Sequence, residues 1–220
     1  MTGIDPDLFH YLESFLTDSR RQRLREVLAR RTRHIALVLD DVYQPYNMSA
    51  ALRSCDAFGV QDVYLIESRH AAQISSDVAG GSDKWLTRRD YIGPDAQRRC
   101  LAELRRRGYR LAVTSQHPTA VTPETLPLDA RVAVVIGNES TGVSPELLAA
   151  ADFRPHPPME GLVASFNLSA AAALCLSQLT RRLRRSEINW HLSAEETEQL
   201  LIDWTRASIA NVTAIEIRWQ

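Results

Sequence analysis

Ile35-Ala36-Leu37-Val38-Leu39 is a continuous apolar run. A strand with one wet face alternates apolar and polar residues, whereas a strand covered on both faces does not, so this run predicts a strand inside a helix-covered parallel sheet. Pro45-Tyr46-Asn47-Met48-Ser49-Ala50-Ala51-Leu52-Arg53-Ser54-Cys55-Asp56-Ala57-Phe58-Gly59 follows it, and Met48, Ala51, Leu52, Cys55 and Phe58 recur there at helical spacing. Val63-Tyr64-Leu65-Ile66 is a second short apolar run, which closes a β-α-β unit. The pattern then repeats: a helix over about 94–107, strands at Leu111-Ala112-Val113-Thr114 and Val132-Ala133-Val134-Val135-Ile136, a short helix near 145–150 and a long one from about Asn167 to Arg185. Strands alternating with amphipathic helices predict an α/β fold, a mostly parallel sheet flanked by helices. Between the repeats, residues 68–90 show no clear periodicity and hold Gly80-Gly81-Ser82-Asp83-Lys84-Trp85.

Outside this core the ends are helical. Leu8, Leu12, Phe15, Leu16, Leu24, Val27 and Leu28 recur at helical spacing with arginines between them, and another helix is expected near 194–206. The chain has 220 residues, 45% hydrophobic and 24% charged, which is ordinary globular composition. No stretch approaches the roughly 18 uninterrupted apolar residues of a membrane span, and the N-terminus carries acids before its first arginine, so a cytoplasmic protein is expected. Cys55, Cys100 and Cys175 are far apart and lack metal or disulfide spacing; they are expected to be reduced core thiols. The histidines at 10, 34, 70, 117, 156 and 191 show no metal-ligand spacing either, and no metal is expected.

The formal charge of −1 conceals an uneven distribution. Arginines fall in blocks between Arg20 and Arg33, between Arg98 and Arg110, and in Arg181-Arg182-Leu183-Arg184-Arg185, while Lys84 is the one lysine. Such blocks read either as solvated helix faces or as a basic face for a polyanion. On the polyanion reading, Arg20, Arg21, Arg23, Arg30, Arg31, Lys84, Arg181, Arg182, Arg184 and Arg185 contact nucleic acid.

Three segments offer chemistry. In the first, Arg53 sits nearly opposite the apolar stripe of its helix, either paired with Asp56 or facing a ligand, and Asn47 is either a helix cap or a site residue. The second, Ile136-Gly137-Asn138-Glu139-Ser140-Thr141-Gly142-Val143-Ser144, leaves a buried strand and enters a short helix, the usual place for a ligand loop. It lacks both the dinucleotide fingerprint and the ending of a P-loop, which removes the main support for an oxidoreductase or nucleoside-triphosphatase. In the third, Pro158-Met159-Glu160-Gly161-Leu162-Val163-Ala164-Ser165-Phe166-Asn167-Leu168-Ser169-Ala170-Ala171-Ala172-Ala173, Ser165 or Asn167 is placed to cap the long helix.

In order and spacing these three segments resemble the motifs of the SpoU (SPOUT) RNA 2′-O-ribose methyltransferases, over roughly residues 34–180. The resemblance implies a SPOUT fold with a C-terminal deep trefoil knot, flanked by a basic N-terminal helical extension (1–33) and a C-terminal helical extension (181–220), one compact unit in all. It implies S-adenosylmethionine as cofactor and a homodimer. Carried onto this chain, the catalytic positions are Arg53, Asn47, Glu139, Ser165 and Asn167. The cofactor positions are Thr114, Gly137, Asn138, Glu139, Gly142, Pro158, Met159, Ser165, Phe166 and Leu168. The loop at Gly80–Trp85 and the helical extensions are most similar to the branch that methylates guanosine 18 in the tRNA D-loop, so tRNA is the expected partner. A ribosomal RNA guanosine, a tRNA wobble ribose or a non-catalytic RNA-binding module are the alternatives.

Departures from the family pattern are Pro157 before Pro158-Met159 where isoleucine is usual, Phe166 for leucine, and Tyr46 where histidine often precedes the motif asparagine. Family resemblance makes Arg53 the activator of the ribose hydroxyl. A guanidinium, protonated at neutral pH, is a poor general base, and clamping a phosphate while stabilising a developing alkoxide is the easier role.

Overall fold

The computed structural model describes residues 4–69, 75–114, 121–163 and 165–219. Residues 70–74, 115–120 and Ala164, which fall within the aperiodic segment, the loop after the third expected strand and the third motif, lie outside them. In chain order the elements are α1 (Pro6–Ser14), α2 (Asp18–Leu28), β1 (Thr32–Asp40), α3 (Pro45–Phe58), β2 (Val60–Glu67), α4 (Ser76–Ala79), β3 (Thr87–Ile92), α5 (Ala96–Arg106), β4 (Tyr109–Val113), β5 (Arg131–Gly137), α6 (Pro145–Ala149), α7 (Leu168–Leu183), α8 (Ala194–Ala207) and α9 (Val212–Trp219).

The sheet runs β3-β2-β1-β5-β4 with every pairing parallel. The run that predicts a doubly covered strand is its centre: Ile35, Ala36, Leu37, Val38 and Leu39 are all buried. Because strand side chains alternate faces, Ile35, Leu37 and Leu39 join the layer of α3 and α7, while Ala36 and Val38 join that of α5 and α6. The stripe Met48, Ala51, Leu52 and Cys55 fixes α3 on its face of the sheet, each large buried apolar side chain contributing about 1.5–3 kcal/mol. Cys55, Cys100 and Cys175 are buried thiols in these layers, and burial pushes Cys175 up to about 12, a thiol with no tendency to ionise at neutral pH.

Strand β3 falls in the segment read as aperiodic. It is an edge strand whose residues alternate between half-buried and exposed, with the Arg88–Asp90 pair outward, so it carries no apolar run.

Contacts divide the chain into two units. Thr32–Trp190 holds the sheet. Residues up to Arg31 and those from His191 onward form the other, in which α1 and α2 pack on α8 and bury Leu12, Leu24, Leu28, Leu200 and Trp204. The start of α8 is set by a reciprocal Ser193–Glu196 capping box. Arg31 corrects the sequence reading: expected as a nucleic-acid contact, it is buried with its guanidinium 5.0 Å from the Trp204 ring centre, where apolar packing and a cation–π contact hold it. Among the described residues no helix is long and apolar enough to cross a membrane.

Candidate active site

In open parallel sheets ligands bind beyond the carboxyl ends of the strands, where chain order reverses. From β1 the chain proceeds to β2 and β3 on one side, while β5 and β4 lie on the other, so the reversal falls between β1 and β5. A cleft of about 650 Å³ opens there, within the range of small-molecule sites.

One wall begins where β1 ends. Asp41 has φ +57°, a conformation costly for a residue with a side chain, and it turns the chain away from the sheet. Its carboxylate accepts from the backbone N–H of Ser68 (3.1 Å) and Arg69 (2.9 Å), and its carbonyl accepts from Asn138 Nδ2 at 2.7 Å. Pro45 then opens α3, with Gln44 and Asn47 facing the cleft.

The opposite wall is the loop after β5. Asn138 and Gly142 exchange backbone hydrogen bonds of 3.0 and 2.9 Å, and Asn138 Oδ1 accepts from the N–H groups of Ser140 and Thr141. The loop folds back so tightly that a Cβ on Gly137 would lie 2.2 Å from the backbone of Gly142 and Val143, which is why glycine stands there. Beyond the loop, Ser144 N–H donates to Asp40 Oδ2 at 2.7 Å, tying the start of α6 to the end of β1.

Three side chains join the walls. Asn47 Nδ2 donates to Glu139 Oε1 at 2.8 Å and to Gln44 Oε1 at 3.1 Å, while Asn167 Nδ2 donates to Asn47 Oδ1 at 3.0 Å. Asn167 also caps α7, its Oδ1 accepting from Ser169 N–H at 3.0 Å and Ala170 N–H at 3.4 Å. For Asn167 the two readings, cap and site residue, merge; Asn47 is no cap, since α3 starts at Pro45 with Gln44 at the cap position, and its side chain instead links Asn167 to the carboxylate. Partial burial pushes Glu139 up, but the bond from Asn47 and the backbone N–H groups of Glu139, Tyr43 and Gln44 outweigh it and hold the carboxyl below its ordinary value. Glu139 is thus an anion at neutral pH, and the one carboxylate among the described lining residues.

Of the expected cofactor positions, Thr114, Gly137, Asn138, Glu139, Gly142, Met159, Ser165, Phe166 and Leu168 line this cleft. Pro158 does not; it is exposed, and its neighbour Pro157 lines the wall instead. Adjacent residues of an extended segment point to opposite sides, so one register step exchanges the two prolines. Gln44, Ser140, Thr141 and His156 also line the cleft and were not singled out from sequence. Arg53 is exposed on α3 and donates to the Val78 carbonyl at 3.4 Å rather than to Asp56. It borders a second, shallower groove between α3 and α7, outside the Glu139 cleft. Of the expected nucleic-acid contacts, Arg23, Arg30, Lys84, Arg181, Arg184 and Arg185 are exposed, and Arg20, Arg21 and Arg182 half-buried. Arg182 donates to the carbonyls of Pro123 and Leu126, both at 2.8 Å. Among the described residues no cluster of His, Cys, Asp and Glu suited to a metal ion is found.

A sequence profile of the SpoU rRNA Methylase family matches residues 34–177, the segment that holds both walls of this cleft and the side chains that join them. The chain belongs to that family. A SpoU-family relative, the tRNA (guanosine(18)-2′-O)-methyltransferase of Borreliella burgdorferi, is 33% identical over 93% of this chain and 93% of its own. The crystal structure of the A. aeolicus TrmH/SpoU tRNA modifying enzyme is similar with a TM-score of 0.76 and 31% identity, over 88% of this chain and 98% of that one. The SpoU methyltransferase AviRb from Streptomyces viridochromogenes, solved in complex with AdoMet, shares the fold at a TM-score of 0.62 and 22% identity, over 73% of this chain and 65% of that one.

S-adenosylmethionine, the SpoU-family cofactor, fits what is present. Apolar Ile136, Val143, Leu148, Met159 and Phe166 offer surface to an aromatic ring, and an ionised Glu139 suits a ligand carrying sulfonium and ammonium charges.

Proposed function

We propose that this chain methylates the ribose 2′-hydroxyl of guanosine 18 in the D-loop of tRNA. The observation that carries the reading is the hydrogen-bonded series Glu139–Asn47–Asn167 at the sheet's reversal point, in a chain that matches tRNA (guanosine(18)-2′-O)-methyltransferases over nearly its whole length. S-adenosylmethionine, when bound, supplies an activated methyl group, so the protein's part is chiefly alignment and charge. Gly137, Gly142, Met159 and the segment from Ser165 to Leu168 shape the cofactor pocket, which the family resemblance assigns to a trefoil knot. Asn47 and Asn167 keep Glu139 and Ser165 in fixed relation to it.

Arg53 acts outside its own cleft. In the homodimer that the family implies, it reaches the cleft of the partner subunit, holds the phosphate beside the target ribose and stabilises the alkoxide as a phosphate oxygen or water accepts the proton. The exposed arginines of the N- and C-terminal extensions supply salt-dependent attraction for RNA. The expected setting is the cytoplasm.

Incubation with labelled S-adenosylmethionine and total RNA free of 2′-O-methyl groups, followed by mapping, is expected to place the label at guanosine 18 of tRNA; label on ribosomal RNA alone overturns the assignment. Arg53→Ala is expected to slow single-turnover transfer by about 10²–10³-fold. Arg53→Lys recovers part of that loss, since an ammonium keeps the charge but not the bidentate fork, and near-normal turnover in Arg53→Lys counts against the clamp.

A further inference from the structure

On the outward side of α3, Tyr46, Ala50, Arg53 and Ala57 follow one another at i, i+4, i+7 and i+11, opposite the buried stripe of Met48, Ala51, Leu52 and Cys55. Seven residues bring a helix back to within about 20° of the same direction, so Tyr46 and Arg53 share a face, about 10 Å apart along the axis. The residue between them on that face is small, Ala50, so no bulky side chain of α3 separates the ring from the cation. Arg53 also borders the second groove, of about 580 Å³, whose lining includes Ala50, Ala57, Phe58, Val78 and Ala173 and which Tyr46 does not line.

A single exposed tyrosine is unremarkable on a protein surface. Tyr46 differs in two respects taken together: it is 68% exposed on the first turn of a packed helix, and it shares a face with Arg53, so that whichever subunit's cleft Arg53 serves, Tyr46 is carried beside it. RNA-binding surfaces read unpaired nucleotides by stacking bases on aromatic rings while cations take the phosphates. An exposed ring and a cation on one helix face, with only Ala50 between them, match the two ends of one nucleotide, base and phosphate.

We propose that Tyr46 is the stacking platform for the base of the nucleotide that is methylated, with Arg53 on its phosphate. This rests on the methyl-transfer reading above. Tyr46 then acts on substrate alignment and contributes nothing to binding of the cofactor, whose cleft it does not line.

The test uses single-turnover transfer by the full-length protein on two tRNA transcripts, one intact and one abasic at the target nucleotide with its ribose retained. Tyr46→Ala is expected to lower kcat/KM on the intact transcript by about 5–150-fold, the range for losing one base–aromatic stack, with Tyr46→Phe close to the unchanged protein. On the abasic transcript the unchanged protein drops to a similar level and Tyr46→Ala adds no further loss, as a double-mutant cycle requires of two interacting groups. Affinity for S-adenosylmethionine by calorimetry and subunit association by sedimentation are both expected to match the unchanged protein. The proposal is overturned by intact turnover in Tyr46→Ala, by an equal loss on both transcripts, by lost cofactor affinity, or by dissociated subunits, the last meaning that the groove holds a second copy of the chain. Failure of the unchanged protein to methylate any RNA sinks the functional reading and this proposal with it; a methylating protein indifferent to Tyr46 sinks this proposal alone.

Discussion

The two ends of the sheet hold their key carboxylates, buried Asp62 and the more exposed Glu139, in different ways. At the amino end, Asp62 is fully buried and draws guanidinium groups from three elements: Arg33 at 3.0 Å, Arg89 at 3.2 Å and Arg107 at 3.9 Å, with the Tyr109 hydroxyl donating at 3.4 Å. At the carboxyl end, buried Asp41 is paired with Arg69, but Asp40 and Glu139 are held by neutral donors: Gln97 and the Ser144 N–H on Asp40, Asn47 and the Tyr43 N–H on Glu139. Around Asp62 the guanidiniums more than offset the carboxylate, which leaves it no negative field for a ligand. Amides and backbone N–H groups fix a carboxylate in place without cancelling it, so the cleft keeps a usable negative charge. One end is a clamp between strands and the other is a site.

The comparison breaks if Asp62 does not carry that load. Asp62→Asn preserves shape but leaves Arg33 and Arg89 against a neutral group, while Arg107 keeps Glu103 at 2.6 Å, and is expected to cost about 3–5 kcal/mol in denaturant unfolding, with cofactor affinity of the folded protein little changed. A loss under about 1 kcal/mol would mean that water serves the guanidiniums as well as the carboxylate does.

Gly137→Ala strikes the other end. A Cβ inside the Gly137–Val143 turn forces the loop open, which is expected to cost about 1–3 kcal/mol of stability together with most of the affinity for S-adenosylmethionine. Calorimetry beside thermal unfolding separates the two effects; a variant that keeps full affinity refutes the tight loop as the pocket's wall.

Much of this contrast was legible in sequence only at the site end. The apolar run at 35–39 states a doubly covered strand because burial on both faces leaves a mark on every residue, and the helices near Asn47 and Asn167 announce themselves by periodicity and caps. The amino-end cluster leaves no such mark: Arg33, Asp62, Arg89 and Arg107 are scattered along the chain and meet through strand register and the end of α5. For the same reason the arginine blocks overstated the basic surface. Arg31, Arg33 and Arg107 belong to blocks that read as outward charge, yet one lies against Trp204 and two close on Asp62. The hydrogen bond from Asn167 to Asn47, 120 residues apart in sequence, is likewise invisible in the sequence: the family resemblance puts both residues in the site but says nothing of a bond between them.

The smallest expected effect is the most direct probe of a carboxylate held by neutral donors. Folding lowers the pKa of Glu139, so its contribution is present above the ordinary carboxylate value and is lost as pH falls through the lowered one. Cofactor affinity is therefore expected to stay level from neutral pH down to the ordinary carboxylate range, then to fall. Glu139→Gln keeps an oxygen that can accept from Asn47 but loses the charge, so it should start weaker at neutral pH and lack the acid limb attributable to this group. Calorimetric titrations of both proteins across that range decide the matter. An acid limb that persists unchanged in Glu139→Gln would transfer the titration to another group and remove the negative charge that distinguishes this end of the sheet from the other.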